Sequence, residues 1–139
     1  MVGFNVKFYW YQIGSADFLH SFFSTVAYRL ENKDWGSRFP IIMNKLYQGR
    51  IGLADVDEAI KELTMIKKEL QTFPPDKIIW DIDNLKKQPP WKDNISDDIT
   101  DLSNYFVTSD GENLISVFFH ALKKAKEADC DIEIKSILT

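Results

Sequence analysis

Cysteine is almost missing from this chain of 139 residues: Cys130 stands alone, so no intrachain disulfide can form. Its neighbours Asp129 and Asp131 disfavour a thiolate, which argues for a structural cysteine rather than a nucleophile. Histidine is scarce too. His20 and His120 each lie in an apolar helical pattern, and no Cys–His or His-x₃-His spacing marks a metal site. The glycines form no phosphate-cradling loop, and Gly14–Ser15 lacks the G-x-S-x-G surroundings of an activated serine. No apolar run reaches the roughly 18 residues that a transmembrane helix needs. The opening "MVGFNVKFYWYQIG" alternates and has no basic segment ahead of it, so it does not read as a signal peptide. Together these absences argue against a disulfide scaffold, a membrane-spanning protein and the commonest motif-borne enzymes; a cytoplasmic protein is expected.

A further absence is local. Residues 93–112 hold six acids and no base. Residues 1–92 hold 11 acids and 13 bases, and residues 113–139 hold four of each, so the formal charge of −4 comes from one segment. That segment should repel nucleic acid and anionic membranes and attract a basic protein surface.

Core material is plentiful, with 45% hydrophobic and 14% aromatic residues. The length suits one domain, 1–139, burying about two-thirds of its unfolded surface. Val2, Phe4, Val6, Phe8 and Trp10 recur with period two and predict a first strand. Ser15 is placed to cap a helix carrying Phe18, Phe22, Val26 and Leu30. Pro40 opens a short helix that Gly49 stops. Asp55 and Glu58 form a capping-box-like start to a helix carrying Val56, Ile60, Leu63, Ile66 and Leu70, ended by Pro74 and Pro75. "KIIWDID" and "NYFVTS" predict two strands. Ser109 and Glu112 read as a second capping box, before a helix with Leu114, Val117, Phe118 and Ala121. "DIEIKSI" predicts a last strand. The order β-α-α-α-β-β-α-β predicts an α+β fold, a single mixed β-sheet packed with helices. The final β-α-β is expected to cross over in parallel.

Asp81 and Asp83, in "IIWDIDN", could hold Mg²⁺ at a strand end and supply a nucleophile and an acid, as in a small phosphohydrolase. Plain alternation explains them equally, with Ile78, Trp80 and Ile82 facing inward. Asp93, Asp97, Asp98 and Asp101 miss calcium-loop spacing, since Ile95 and Ile99 interrupt the oxygens. No catalytic residue, metal or cofactor is therefore assigned. Sustained one-sign charge beside large aromatics instead suggests a recognition surface, made of Trp91, Asp93, Asp97, Asp98, Asp101, Tyr105, Asp110 and Glu112. A solvated, turn-capping loop is the alternative.

The stretches "FYWYQIGSADFLHSFFSTVAYRLE", "WGSRFP", "FPPDKIIWDID" and "PPWKDNISDDITDLSNYFVTSDG" resemble the immunity protein 70 family of bacterial polymorphic toxin systems. The resemblance spans Val2 to about Ile134. It implies a cytosolic protein that binds and neutralises a cognate toxin domain, often a nuclease, by protein–protein contact rather than turnover. A generic interaction domain for another basic partner and the phosphohydrolase are the competing readings.

Overall fold

The computed structural model describes residues 1–137. The alternation running to Trp10 predicts one strand; the structure folds it into two. β1 (Val2–Val6) turns through Lys7 and Phe8 into β2 (Tyr9–Gly14), with Val6 opposite Tyr9 and Phe4 opposite Tyr11. Lys7 has φ 56°, the left-handed conformation that a two-residue hairpin loop requires at its first position. The turn keeps Val6 and Tyr9 on one face, so Trp10 falls on the other, opposite Asn5. There its indole closes over Gly3. A Cβ on Gly3 would stand 2.5 Å from the Tyr11 carbonyl oxygen and 2.6 Å from the Trp10 ring, so only glycine allows this approach.

The sheet has four strands in the order β2-β1-β4-β3, where β3 is Arg50–Ile51 and β4 is Ile132–Ser136. Every pairing is antiparallel, and β4 lies between β1 and β3. The class is α+β, but the expected parallel crossover does not form and the sheet is not mixed. Phe4, Val6 and Ile132 are fully buried on one face. Asn5, Glu133 and Lys135 share the other, more solvated face.

Three longer helices cover the apolar face. α1 (Ala16–Arg29) starts at Ser15, whose Oγ accepts from the Phe18 amide at 3.1 Å. α2 spans Val56–Leu70. The Asp55 carboxylate does not cap it and instead pairs with Lys45 Nζ at 3.1 Å. α3 (Leu114–Glu127) begins later than the Ser109–Glu112 pair predicts; its cap is Asn113, which accepts from the Ser116 amide at 3.1 Å. The helix after Pro40 is one π-helical turn, Ile41–Leu46.

The core is one cluster. The Phe4 and Phe118 rings lie 4.6 Å apart, Phe118 and Phe22 6.3 Å, and Phe22 and Phe106 5.4 Å. Phe18, Val26 and Ile132 are buried in it, and Trp80 packs half-buried against it. Two buried carboxylates hold the connection from α1 to the π turn. Glu31 accepts from the amides of Gly36, Arg38 and Phe39, and Glu62 accepts from those of Ile41 and Ile42 at 3.1 and 2.8 Å. Burial pushes the Glu62 carboxyl above its ordinary range, although the two amides pull the other way.

Neither predicted middle strand forms. After a 3₁₀ turn at Pro75–Lys77, residues 78–83 run irregularly beside α1. The backbone there is satisfied by α1 hydroxyls rather than by a neighbouring strand. Ser21 Oγ and Thr25 Oγ1 donate to the Ile79 carbonyl at 2.8 and 3.1 Å; Thr25 Oγ1 accepts from the Ile79 amide at 3.1 Å; Ser24 Oγ accepts from the Ile82 amide at 3.2 Å. "NYFVTS" contributes only a bridge between Val107 and Asn113, because the chain reverses at once through Thr108–Glu112.

Candidate functional site

The acidic segment folds outward from an aromatic base. Trp91 Nε1 donates to the Tyr105 hydroxyl at 2.8 Å. The Trp80 ring meets Trp91 edge-on at 5.5 Å, and Tyr105 meets Phe106 at 5.2 Å, so this base is continuous with the core. Tyr105 is only 4% exposed, and its burial raises the phenol's pKa while the indole contact lowers it. It supports Trp91 from beneath and is not a free surface anchor.

The six acids divide by role. Burial raises the Asp101 carboxyl, but hydrogen bonds from the Ser103 hydroxyl and amide and from Thr100 outweigh it and hold the group below its usual range. Asp101 is therefore a turn cap. Asp110 accepts from Thr108 Oγ1 in the loop ahead of α3. Asp93, Asp97, Asp98 and Glu112 are exposed. Among the described residues none of the six acids joins an ion pair, although nine such pairs form elsewhere.

The apolar residues that interrupt the acids have a use. Ile95 and Ile99 line an open groove of about 320 Å³ with Phe18, Trp91, Tyr105 and Val107. Asp97 and Asp98 stand in the chain between the two isoleucines. The groove thus has a largely apolar lining, while the exposed carboxylates adjoin it in the chain.

A second cluster joins residues that the sequence leaves apart. His20, on α1, places Nδ1 3.1 Å from the Tyr47 hydroxyl and Nε2 3.6 Å from Asp81 Oδ1. Asp83 completes a group whose ligand atoms lie within 4.8 Å of one another. Asp81 and Asp83 follow no strand and the sheet holds no parallel pair, so they lack the strand-end setting that the phosphohydrolase reading requires. His120 is exposed on α3, and Cys130 is half-buried at the approach to β4. Sequence alternation also misplaces Phe8. It is 92% exposed at the hairpin tip, the most exposed large apolar side chain among the described residues. The missing signal was the turn, which carries no glycine or Asn-Gly.

These features define a small α+β fold with one acidic, aromatic-based surface segment. The chain belongs to the Immunity protein 70 family, whose model matches residues 4–134. The family implies an immunity protein that binds a cognate toxin and points toward a non-enzymatic role. No curated protein and no solved structure matches the chain. Among the described residues no helix is long and apolar enough to cross a membrane.

Proposed function

We propose that this chain acts as a single cytoplasmic domain that binds the toxic domain of a cognate polymorphic toxin, a nuclease, and neutralises it by contact without turnover. The observation that carries the reading is the groove at Ile95 and Ile99, whose chain neighbours Asp93, Asp97 and Asp98 are exposed and have no ion-pair partner within the described residues. A nuclease concentrates positive charge where it grips phosphates. Free carboxylates on the inhibitor complement that charge and steer encounter, up to about 10⁸–10⁹ M⁻¹s⁻¹ at low salt. Trp91 is the apolar anchor, propped by Tyr105. Asp101, Asp110 and Glu112 extend the field while the first two also shape their turns.

The test pairs co-expression with kinetics. The protein should rescue cells that express the toxin encoded beside it and should co-purify with that toxin's catalytic domain. Reversing Asp93, Asp97 and Asp98 to Lys should slow association and flatten its salt dependence. Rescue and association that are both indifferent to this reversal would move the interface away from the acidic segment.

A further inference from the structure

We propose that His20, Asp81 and Asp83 form a binding site for a divalent transition-metal ion, which pins the irregular segment 78–83 to α1. Three separate parts of the chain converge there. His20 comes from α1, the two aspartates from the segment that runs beside it, and Tyr47 from the end of the π-helical turn.

The donor geometry is partly made. Ligand atoms at about 2.0–2.2 Å from one ion lie within roughly 4 Å of one another. His20 Nε2 and Asp81 Oδ1, at 3.6 Å, already meet that spacing. The whole set falls within 4.8 Å, so a small rotation of the exposed Asp83 carboxylate closes it.

The imidazole is also oriented. Its Nδ1 meets the Tyr47 hydroxyl at 3.1 Å, which suits an Nδ1–H donating to the phenol oxygen and leaves the Nε2 lone pair aimed at the aspartates. Metal-binding histidines are commonly fixed by such an outer hydrogen bond. Asp81 is held in turn, since its Oδ1 accepts from the Asp83 amide at 2.9 Å. The Lys87 ammonium, 3.8 Å from Asp81 Oδ2, marks this carboxylate as a seat for positive charge and is the group that an ion would displace. One imidazole and two carboxylates favour Zn²⁺, Co²⁺, Ni²⁺ or Mn²⁺ over the all-oxygen sites of Ca²⁺ and Mg²⁺.

Metal binding at this site does not depend on toxin binding, and measuring it needs no toxin. Metal-stripped full-length protein is titrated with Co²⁺ and followed by ligand-field absorption, then with Zn²⁺ by calorimetry and thermal melting. Saturable binding of one ion per chain is expected, with a rise in melting temperature. Asp83→Asn and His20→Ala should each weaken binding by at least about tenfold, and Tyr47→Phe by about tenfold. Lys87→Ala should tighten it, and this exposed change leaves the fold in place. His120→Ala and Cys130→Ser should have no effect. The absence of a saturable signal at about 1 mM ion, or a signal that survives Asp83→Asn, would overturn the site.

Discussion

The sheet with its three covering helices and the wrap formed by residues 71–113 are stabilised by different means. In the sheet and helices, backbone groups pair with backbone groups, and side chains are free to fill the core around Phe4, Phe22 and Phe118. In the wrap, side chains satisfy much of the backbone: Thr25 and Ser21 at Ile79, Ser24 at Ile82, Asn104 at Thr100 and Asp101, and Thr108 at Glu112. A backbone ladder tolerates most substitutions that keep an apolar face. A hydroxyl that holds a buried amide, as Thr25 does at Ile79, tolerates few, because its loss strands a buried polar group. The wrap is thus the more sequence-dependent part of the molecule, and it carries the surface proposed for the partner.

The largest expected effect lies in the core. Phe118→Ala or Phe22→Ala should cost about 3–5 kcal/mol in urea unfolding, much of an ordinary domain's stability. A small loss would mean that the aromatic cluster does not bind sheet and helices into one unit. Next comes Thr25→Val, which keeps the shape of the side chain and removes its oxygen. The Ile79 carbonyl retains Ser21 as a donor, while the Ile79 amide loses its acceptor, so a cost of about 1–3 kcal/mol is expected. Hydrogen exchange should speed up in residues 78–83 while the sheet amides keep their protection. Uniform loosening of both regions would erase the contrast between them.

Acid–base behaviour separates the two regions by sign. Burial raises the Glu62 carboxyl beside the π turn, so the folded state holds that proton more tightly than the unfolded chain. Its contribution is therefore full below the ordinary glutamate value and declines as pH rises through the raised one. Asp101 in the wrap is lowered, so its contribution is present above the ordinary aspartate value and is lost as pH falls through the lowered one. Unfolding measured across the acid range for Glu62→Gln and Asp101→Asn should show opposite changes of slope. Slopes of one sign would show that burial does not dominate at Glu62.

The smallest effect on stability belongs to the surface. Asp93, Asp97 and Asp98 changed together to Lys, or Phe8→Ala at the exposed hairpin tip, should each leave unfolding within about 0.5 kcal/mol per substitution. A larger loss from the triple change would make the acidic segment a structural element rather than a free surface.

Much of the frame was readable in the sequence. The 3.6-residue spacing of Phe18, Phe22 and Val26, and of Leu114, Val117 and Phe118, predicts buried helix faces, and these residues are buried. Ser15 predicts a cap that forms. The hairpin was hidden because Lys7 adopts a positive φ usually left to glycine or asparagine, so alternation ran on unbroken through Phe8 and Trp10. In the candidate site, the concentration of acids was legible by inspection. The roles of Asp101 as a cap and Tyr105 as a support were not, since each depends on neighbours that only folding supplies.

Amphipathic period and charge segregation are properties of neighbouring residues in the chain, and by themselves they settled the α+β class, the helix faces and the acidic segment. Pairing between distant segments is decided by which backbone groups find partners once the core closes. "KIIWDID" has the composition of a strand, yet its polar groups are met by Ser21, Ser24 and Thr25, hydroxyls spaced along one face of α1, and so it joins no sheet. The same docking brings Asp81 to His20, across 61 residues of sequence, because the segment lies along the helix that carries the imidazole. Tertiary structure alone decided that meeting, as it decided that β4 would lie antiparallel between β1 and β3.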